Sequence, residues 1–132
     1  MTKSVRAPIG VRFCDTDMMG HINNCAIAEY AEYGRVTFFR ELALAASALI
    51  LVNLNIDYVA QIRVDDEVEI ETWVEQIGNT SVTLRQNVYA NGNVAAKTRS
   101  VVLTFDYESN RPSPVPEALR VALAPFTNAD RG

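Results

Sequence analysis

From Cys25 to about Ala48 the chain places apolar or small residues at Ile27, Ala31, Gly34, Phe38, Leu42 and Ala45, with Glu29, Glu32 and Arg40 turned elsewhere, which is the stripe of a helix. The second half of this stretch is apolar on nearly every side. Such a helix has to be covered around most of its circumference, so the remainder of the chain must wrap around it. Asn23 or Asn24 supplies the N-cap, because an Asn side-chain oxygen accepts a hydrogen bond from an otherwise unpaired N–H of the first turn. At about 1.5 Å rise per residue the helix would span roughly 30–35 Å, long for a chain of 132 residues.

The period then changes to that of strands. Val52, Leu54, Ile56 and Tyr58 alternate with Asn53, Asn55 and Asp57; Val68, Ile70, Thr72 and Val74 alternate with Glu67, Glu69, Glu71 and Trp73. Gly78-Asn79 reads as a turn, Val82, Leu84, Gln86 and Val88 continue the two-residue period, and Asn91-Gly92 signals a type I′ hairpin before a last strand from Val94 to Phe105. A first strand is expected at about Ile9 to Phe13. The order is strand, long helix, then four strands, mostly joined by tight turns and therefore antiparallel. This defines an α+β chain in which a curved antiparallel sheet wraps around one long central helix, the shape of a hotdog fold. The domain is expected to occupy 1–107. The proline cluster Pro112-Ser113-Pro114-Val115-Pro116 lies in a C-terminal tail, 108–132, that holds a short helix.

Composition narrows the partners. A total of 12 Lys+Arg against 16 Asp+Glu, net −4, argues against nucleic acid or an anionic membrane as a bulk partner. The apolar run Leu42 to Val52 is shorter than the roughly 20 residues of a spanning helix, and the N-terminal residues lack the apolar core of a signal peptide. Cys14 and Cys25 fall in no CxxC or Cys/His metal spacing and read as small buried hydrophobes, which fits a reducing cytoplasm. Glu67, Glu69, Glu71 and Glu75 read as a solvated strand face without chemistry.

The unusual residues concentrate in Arg12-Phe13-Cys14-Asp15-Thr16-Asp17-Met18-Met19-Gly20-His21-Ile22-Asn23-Asn24, a loop that ends at the helix N-terminus. Unpaired N–H groups and the positive end of the helix dipole can polarise a carbonyl there and hold the oxyanion formed when it is attacked. A neighbouring carboxylate can act as general base or nucleophile, giving acyl transfer without a Ser-His-Asp triad. Asp15 and Asp17 point in opposite directions if the strand persists, and the residues alone leave open which one reaches the site.

The run Asp15-Thr16-Asp17-Met18-Met19-Gly20-His21-Ile22-Asn23-Asn24, followed by a helix with Tyr30, Gly34 and Arg35, resembles the 4-hydroxybenzoyl-CoA thioesterase-like branch of the hotdog acyl-CoA thioesterases. Asn55 to Ala60, Asp65 to Trp73 and Ile77 to Ser81 are similar to that family's later strands and turns, so the resemblance runs from about Arg6 to Tyr107. It implies hydrolysis of an acyl-CoA to a free acid and coenzyme A, with no metal or dissociable cofactor. It implies Asp17 as the catalytic carboxylate, a backbone N–H near Asn24 as the donor to the thioester carbonyl, and Gly20 as the residue that lets the loop approach closely. His21 is expected to line the site, and Asn23 to cap the helix and orient water or Asp17. Tyr58, Arg63 and Arg85 complete the substrate-binding candidates; Arg63 and Arg85, with Lys97 and Arg99, are the cations available to coenzyme A phosphates. Ala26-Ile27 stands where many relatives have Asn-Tyr, while His21-Ile22-Asn23-Asn24 is similar to the variant in long-chain acyl thioesterases and favours a fatty acyl group.

Two rival functions stand beside this one. A hotdog hydratase or dehydratase would use an Asp/His pair, but its usual Asp-x-Asn-x-x-His pattern is one residue longer than Asp17 to His21. A module that binds acyl thioesters without turnover would keep the fold alone. An acyl carrier protein is a further candidate source of substrate. A small sheet on one helix leaves an edge strand exposed, so at least a homodimer is expected; the resemblance implies active sites shared between subunits, with a homotetramer of two such dimers as the alternative.

Overall fold

The computed structural model describes residues 3–42 and 49–127. The strands are β1 (Val5–Ile9), β2 (Leu49–Tyr58), β3 (Val68–Ile77), β4 (Ser81–Ala90), β5 (Asn93–Asp106) and the short β6 (Arg111–Pro112); the helices are α1 (Asn24–Glu41) and α2 (Glu117–Leu123). All ladders are antiparallel, in the order β1-β3-β4-β5-β2, with β6 pairing the end of β5. The expected meander of β3, β4 and β5 is present. Its second hairpin turns through Asn91 and Gly92 at φ 52° and 84°, the two positive values that a type I′ turn requires. Register shifts at Leu51/Asn53, Val74/Gln76 and Val88/Tyr89 insert extra residues and bend the sheet.

Helix α1 starts where Asn23 accepts the Ala26 N–H at 2.8 Å. Its buried face, which includes Ile27, Tyr30, Ala31, Gly34, Phe38 and Phe39, lies on β1, β3 and β4. Contact is close at Gly34, where a Cβ would sit 2.6 Å from Gln86 Nε2 and 2.9 Å from Ile70 Cδ1. The same Gln86 amide donates to the Ala31 carbonyl at 2.9 Å and to Thr72 Oγ1 at 3.1 Å, and accepts from Thr98 at 3.0 Å. A buried polar group is thus fully used to dock the helix on the sheet. One core cluster gathers Ile22, Ile27, Tyr30, Ile70 and Val88 below the start of α1; a second gathers Phe38, Val74, Leu84, Val102, Leu119 and Leu123 below its end.

Several expectations are corrected. The helix is described over 18 residues, closed at Leu42, and a second short helix packs on the same core, so a single long central helix is not shown; the expected continuation over 43–48 lies outside the described residues. Strand β2 opens at Leu49, ahead of the alternation read from Val52; Leu49-Ile50-Leu51-Val52 is apolar at every position, and such a run carries no period by which sequence separates strand from helix. The first strand ends at Ile9, and Phe13–Asp15 forms a 3-10 turn in which Asp15 bonds back to Arg12. Cys14 and Cys25 are both exposed, one on that turn and the other in the first turn of α1. The glutamates are not a uniform solvated face: Glu71 is buried under Ser4 and Tyr89, and Glu75 binds Arg85 and Arg99. The stretch expected as a tail contributes Val115, Leu119 and Leu123 to the core.

Candidate active site

The loop before α1 separates its two aspartates by environment. Asp15 is 3% exposed and accepts from the Arg12 backbone N–H at 3.0 Å, the Arg12 guanidinium at 2.8 Å and the Tyr30 hydroxyl at 2.7 Å. Burial pushes its carboxyl up, but Arg12 and Tyr30 together outweigh burial and hold it below the ordinary range. Burial and the Asp15 charge raise the Tyr30 hydroxyl in turn. The Asp15 carbonyl accepts from both the backbone N–H (2.8 Å) and the side-chain amide (2.9 Å) of Asn23, so the same residue fixes the helix cap.

Asp17 is exposed. Its Oδ1 accepts the backbone N–H groups of Met19 at 2.8 Å and His21 at 3.1 Å, which lower its carboxyl below the ordinary range. Its own N–H donates to the His21 carbonyl at 2.7 Å, and the turn between them uses Gly20 at φ 79°. Gly20 therefore serves a left-handed turn position, where a side chain would be strained. Asp17 meets His21 through the main chain. Beyond the turn, the Ile22 N–H donates to the Ile62 carbonyl at 2.7 Å and His21 bridges to Arg63, which brings the 58–63 segment beside the helix start.

There, Ile22, Asn24, Ile27, Tyr58, Ile62 and Ala96 line a pocket of about 220 Å³. The Tyr58 hydroxyl donates to the Asn24 carbonyl at 3.2 Å. Asn23 satisfies the Ala26 N–H, while the N–H groups of Asn24 and Cys25 find no acceptor among the described residues. The structure thus brings Asp17, Gly20, His21, Asn23, Asn24, Tyr58 and Arg63 to one end of α1. It does not bring Arg85, which lies within β4 with its Nε 2.6 Å from Glu75, nor Arg99, which binds the same carboxylate. Sequence reasoning misses Arg12 and Tyr30 as supports of the loop. Their signal is the i,i+3 spacing of Arg12 and Asp15, and Tyr30 two helical turns beyond Asn23 on one face.

A bent antiparallel sheet with a helix laid on it, presenting the start of that helix beside a carboxylate-bearing loop, is the architecture of hotdog-fold thioesterases. The chain belongs to the Thioesterase-like superfamily, whose family model matches residues 11–123. The acyl-CoA thioester hydrolase YbgC of Escherichia coli O6:H1 is 25% identical over 126 residues, covering 89% of this chain and 94% of that protein. The uncharacterized protein YsmA of Bacillus subtilis is 30% identical over 80 residues, 58% of this chain; the match spans about half of that protein, 54%. A thioesterase from Thermus thermophilus, solved in complex with coenzyme A and zinc, superposes with a TM-score of 0.83 at 31% identity, covering 89% of this chain and 95% of that one.

Proposed function

We propose that this chain hydrolyses an acyl-CoA to a free acid and coenzyme A. In this reading Asp17 takes a proton from the attacking water, or attacks the thioester itself, and the N–H at Asn24 receives the developing oxyanion. The tetrahedral intermediate then collapses with loss of the thiolate, a leaving group good enough to need little protonation; where Asp17 itself attacks, the product of this collapse is an anhydride on Asp17, which a water then hydrolyses to release the free acid and restore the carboxylate. The observation that carries the reading is an exposed Asp17, its carboxyl held below the ordinary range by its own loop, at the start of a helix whose first N–H groups have no acceptor among the described residues. The names of YbgC and of the coenzyme A-bound neighbour support the substrate class. A fatty acyl group is favoured by the His21-Ile22-Asn23-Asn24 run, and Arg63, exposed beside the pocket, is the cation for a coenzyme A phosphate. Arg85 is already neutralised by Glu75.

The active form is a dimer at least, in this reading. Phe13, Met18 and Met19 stand exposed around Asp17, and β2 ends the sheet with Leu51, Val52 and Tyr58 exposed, surfaces that a second copy would cover. Exposed free thiols at Cys14 and Cys25 fit a reducing cytoplasm. Among the described residues no helix is long and apolar enough to cross a membrane.

The test is thiol release measured across short, long and aromatic acyl-CoAs for the native chain and Asp17→Asn. The variant should lose about 10²–10⁴-fold in kcat with its fold unchanged. Because the two loop N–H groups hold Asp17 below the ordinary carboxylate range, the base stays ionised at neutral pH, and activity should fall only as pH drops below that range. Near-normal turnover by Asp17→Asn sinks the mechanism. Loss of the double bond of a crotonyl thioester without thiol release would establish the hydratase reading, and tight binding without turnover the non-catalytic one.

A further inference from the structure

Asn91, in the hairpin turn after β4, and Asp66, in the segment that leads into β3, have no part in the site described above, yet the structure joins them. The Asp66 carboxylate works in two directions: Oδ2 accepts the Arg63 backbone N–H at 2.8 Å and Oδ1 accepts the Asn91 side-chain amide at 3.0 Å. The Asp66 N–H donates back to the Arg63 carbonyl at 3.1 Å, so 63–66 closes as a turn on this one carboxylate. Asn91 is pinned in turn, its Oδ1 accepting the Glu67 N–H at 2.9 Å and its own N–H donating to the Glu67 carbonyl at 2.8 Å. A type I′ turn requires only two positive φ values, so the side-chain bonds of Asn91 to Asp66 and Glu67 go beyond what the hairpin itself needs.

Arg63 is where this turn meets the catalytic loop. His21 bridges to Arg63, and the Ile22 N–H donates to the Ile62 carbonyl at 2.7 Å. His21 also closes the Asp17 turn from both ends: its N–H donates to Asp17 Oδ1 at 3.1 Å, and its carbonyl accepts the Asp17 N–H at 2.7 Å. A path of paired groups therefore runs from Asn91 through Asp66, Arg63 and His21 to Asp17. Little else supports that end of the loop. Met18 and Met19 are exposed, and a Cβ built on Gly20 would meet nothing within 4 Å.

We propose that Asp66 and Asn91 are positioning residues of the active site: bonded side chain to side chain, they set the 62–63 segment on which the His21-Ile22 backbone rests, and through it the place of the Asp17 carboxylate at the helix start. The inference rests on Asp17 as the catalytic carboxylate and adds the residues that hold it. A displacement of about 1 Å at a reacting group, even from a distant change, can cost about 10²-fold in rate, so such a support acts on kcat without touching substrate.

The experiment exchanges the two side chains. In Asp66→Asn an amide faces the Asn91 amide, and turning either one over abandons the Arg63 or the Glu67 N–H; in Asn91→Asp two carboxylates face each other. The double variant, Asp66→Asn with Asn91→Asp, restores a donor and an acceptor in the same place at the native net charge, and aspartate, like asparagine, tolerates the left-handed φ of 52° at position 91. Asp65→Asn, at an exposed neighbour whose side chain makes no hydrogen bond among the described residues, controls for a lost negative charge. Thiol release from acyl-CoA and hydrogen exchange of the backbone amides of 17–22 are followed well below the Tm of each variant. Each single variant should lose about tenfold in kcat with KM changed by less than about threefold, exchange over 17–22 should quicken by about tenfold, the double variant should recover most of both, and Asp65→Asn should stay native. Native kcat in the single variants, a loss that the double variant does not recover, or an equal loss in Asp65→Asn would overturn the proposal. So would a raised KM at native kcat, which would make the pair a support for binding alone. A native chain that releases no thiol from any acyl-CoA, or an active Asp17→Asn, would overturn the catalytic reading instead, and exchange over 17–22 then decides the coupling by itself: single variants that exchange at the native rate overturn it.

Discussion

Asp15 and Asp17, two positions apart, show how little of a residue's role lies in its type. Asp17 binds only the N–H groups of its own turn and keeps its carboxylate in solvent; Asp15 is buried and ties Arg12, Tyr30 and the cap residue Asn23 together. Asp15→Ala should therefore destabilise the fold, by about 1–3 kcal/mol, mainly by leaving the buried Tyr30 hydroxyl unpaired. The ion pair itself adds little, because the Arg12 side chain is 60% exposed. The pH dependence has a definite sign. Asp15 is held below its unfolded value, so its contribution is complete above the ordinary carboxylate range and is lost as pH falls through the lower folded value. Urea denaturation of the native chain and of Asp15→Ala should show a gap in stability at pH 7 that narrows as the solution is acidified below about pH 4, because a protonated Asp15 loses its charge but can still accept from Tyr30. A gap independent of pH would mean that the carboxylate charge is immaterial there. The residue pattern marks both aspartates as candidates and only the family resemblance singles out Asp17, because the difference depends on Asp15 closing a 3-10 turn where the pattern reads as strand. Local side-chain bonds to the backbone compete with a strand in this way, and alternation of residue types does not record them.

At the level of elements, legibility follows periodicity. The strands β3, β4 and β5 alternate cleanly and are legible with their turns, as is Asn23 as the cap of α1. The end of α1 and the start of β2 are not, since the stretch between Leu42 and Leu49 offers neither Gly nor Pro as a break and the first residues of β2 are uniformly apolar. Gly34, in the sequence only a small member of the helix stripe, proves to set the distance between α1 and the sheet. Two effects oppose each other at this position. Alanine is a better helix former than glycine by about 1 kcal/mol, whereas a methyl group within 3 Å of Gln86 Nε2 and Ile70 Cδ1 overfills a packed contact, which costs about 1–3 kcal/mol and disturbs the Gln86 hydrogen bonds as well. Crowding should win. Gly34→Ala is expected to lose about 1–2 kcal/mol in urea denaturation, net of the helix gain. A stabilised variant would show that the helix can lift from the sheet without cost.

For the whole molecule, the question is where the cooperative unit ends. The sequence pattern places the domain over 1–107, because turn signals and strand alternation stop at Tyr107 and prolines follow. The apolar residues beyond that point are too few and too closely spaced to show a period. In the folded chain Leu123 is fully buried in the cluster with Phe38, Val74, Leu84 and Val102, and Thr104 is tied to the returning segment by bonds from the Ser113 N–H and to the Ser113 carbonyl. The Arg120 guanidinium reaches the Gly78 carbonyl at 2.7 Å in the turn between β3 and β4. Helix α2 therefore closes the end of the core that lies below the end of α1. Two positions on this one helix separate a core element from a surface appendage. Leu123→Ala removes a fully buried side chain and should cost about 2–5 kcal/mol, while Val121→Ala, at a residue 65% exposed, should stay within about 0.5 kcal/mol. Equilibrium denaturation followed at Trp73, which is buried in β3, reports on the sheet rather than on α2. A single transition displaced by the Leu123 change makes α2 and the sheet one unit. A Leu123→Ala chain that melts at the native denaturant concentration at Trp73 would instead make α2 an independent attachment, with the remaining core stable without it.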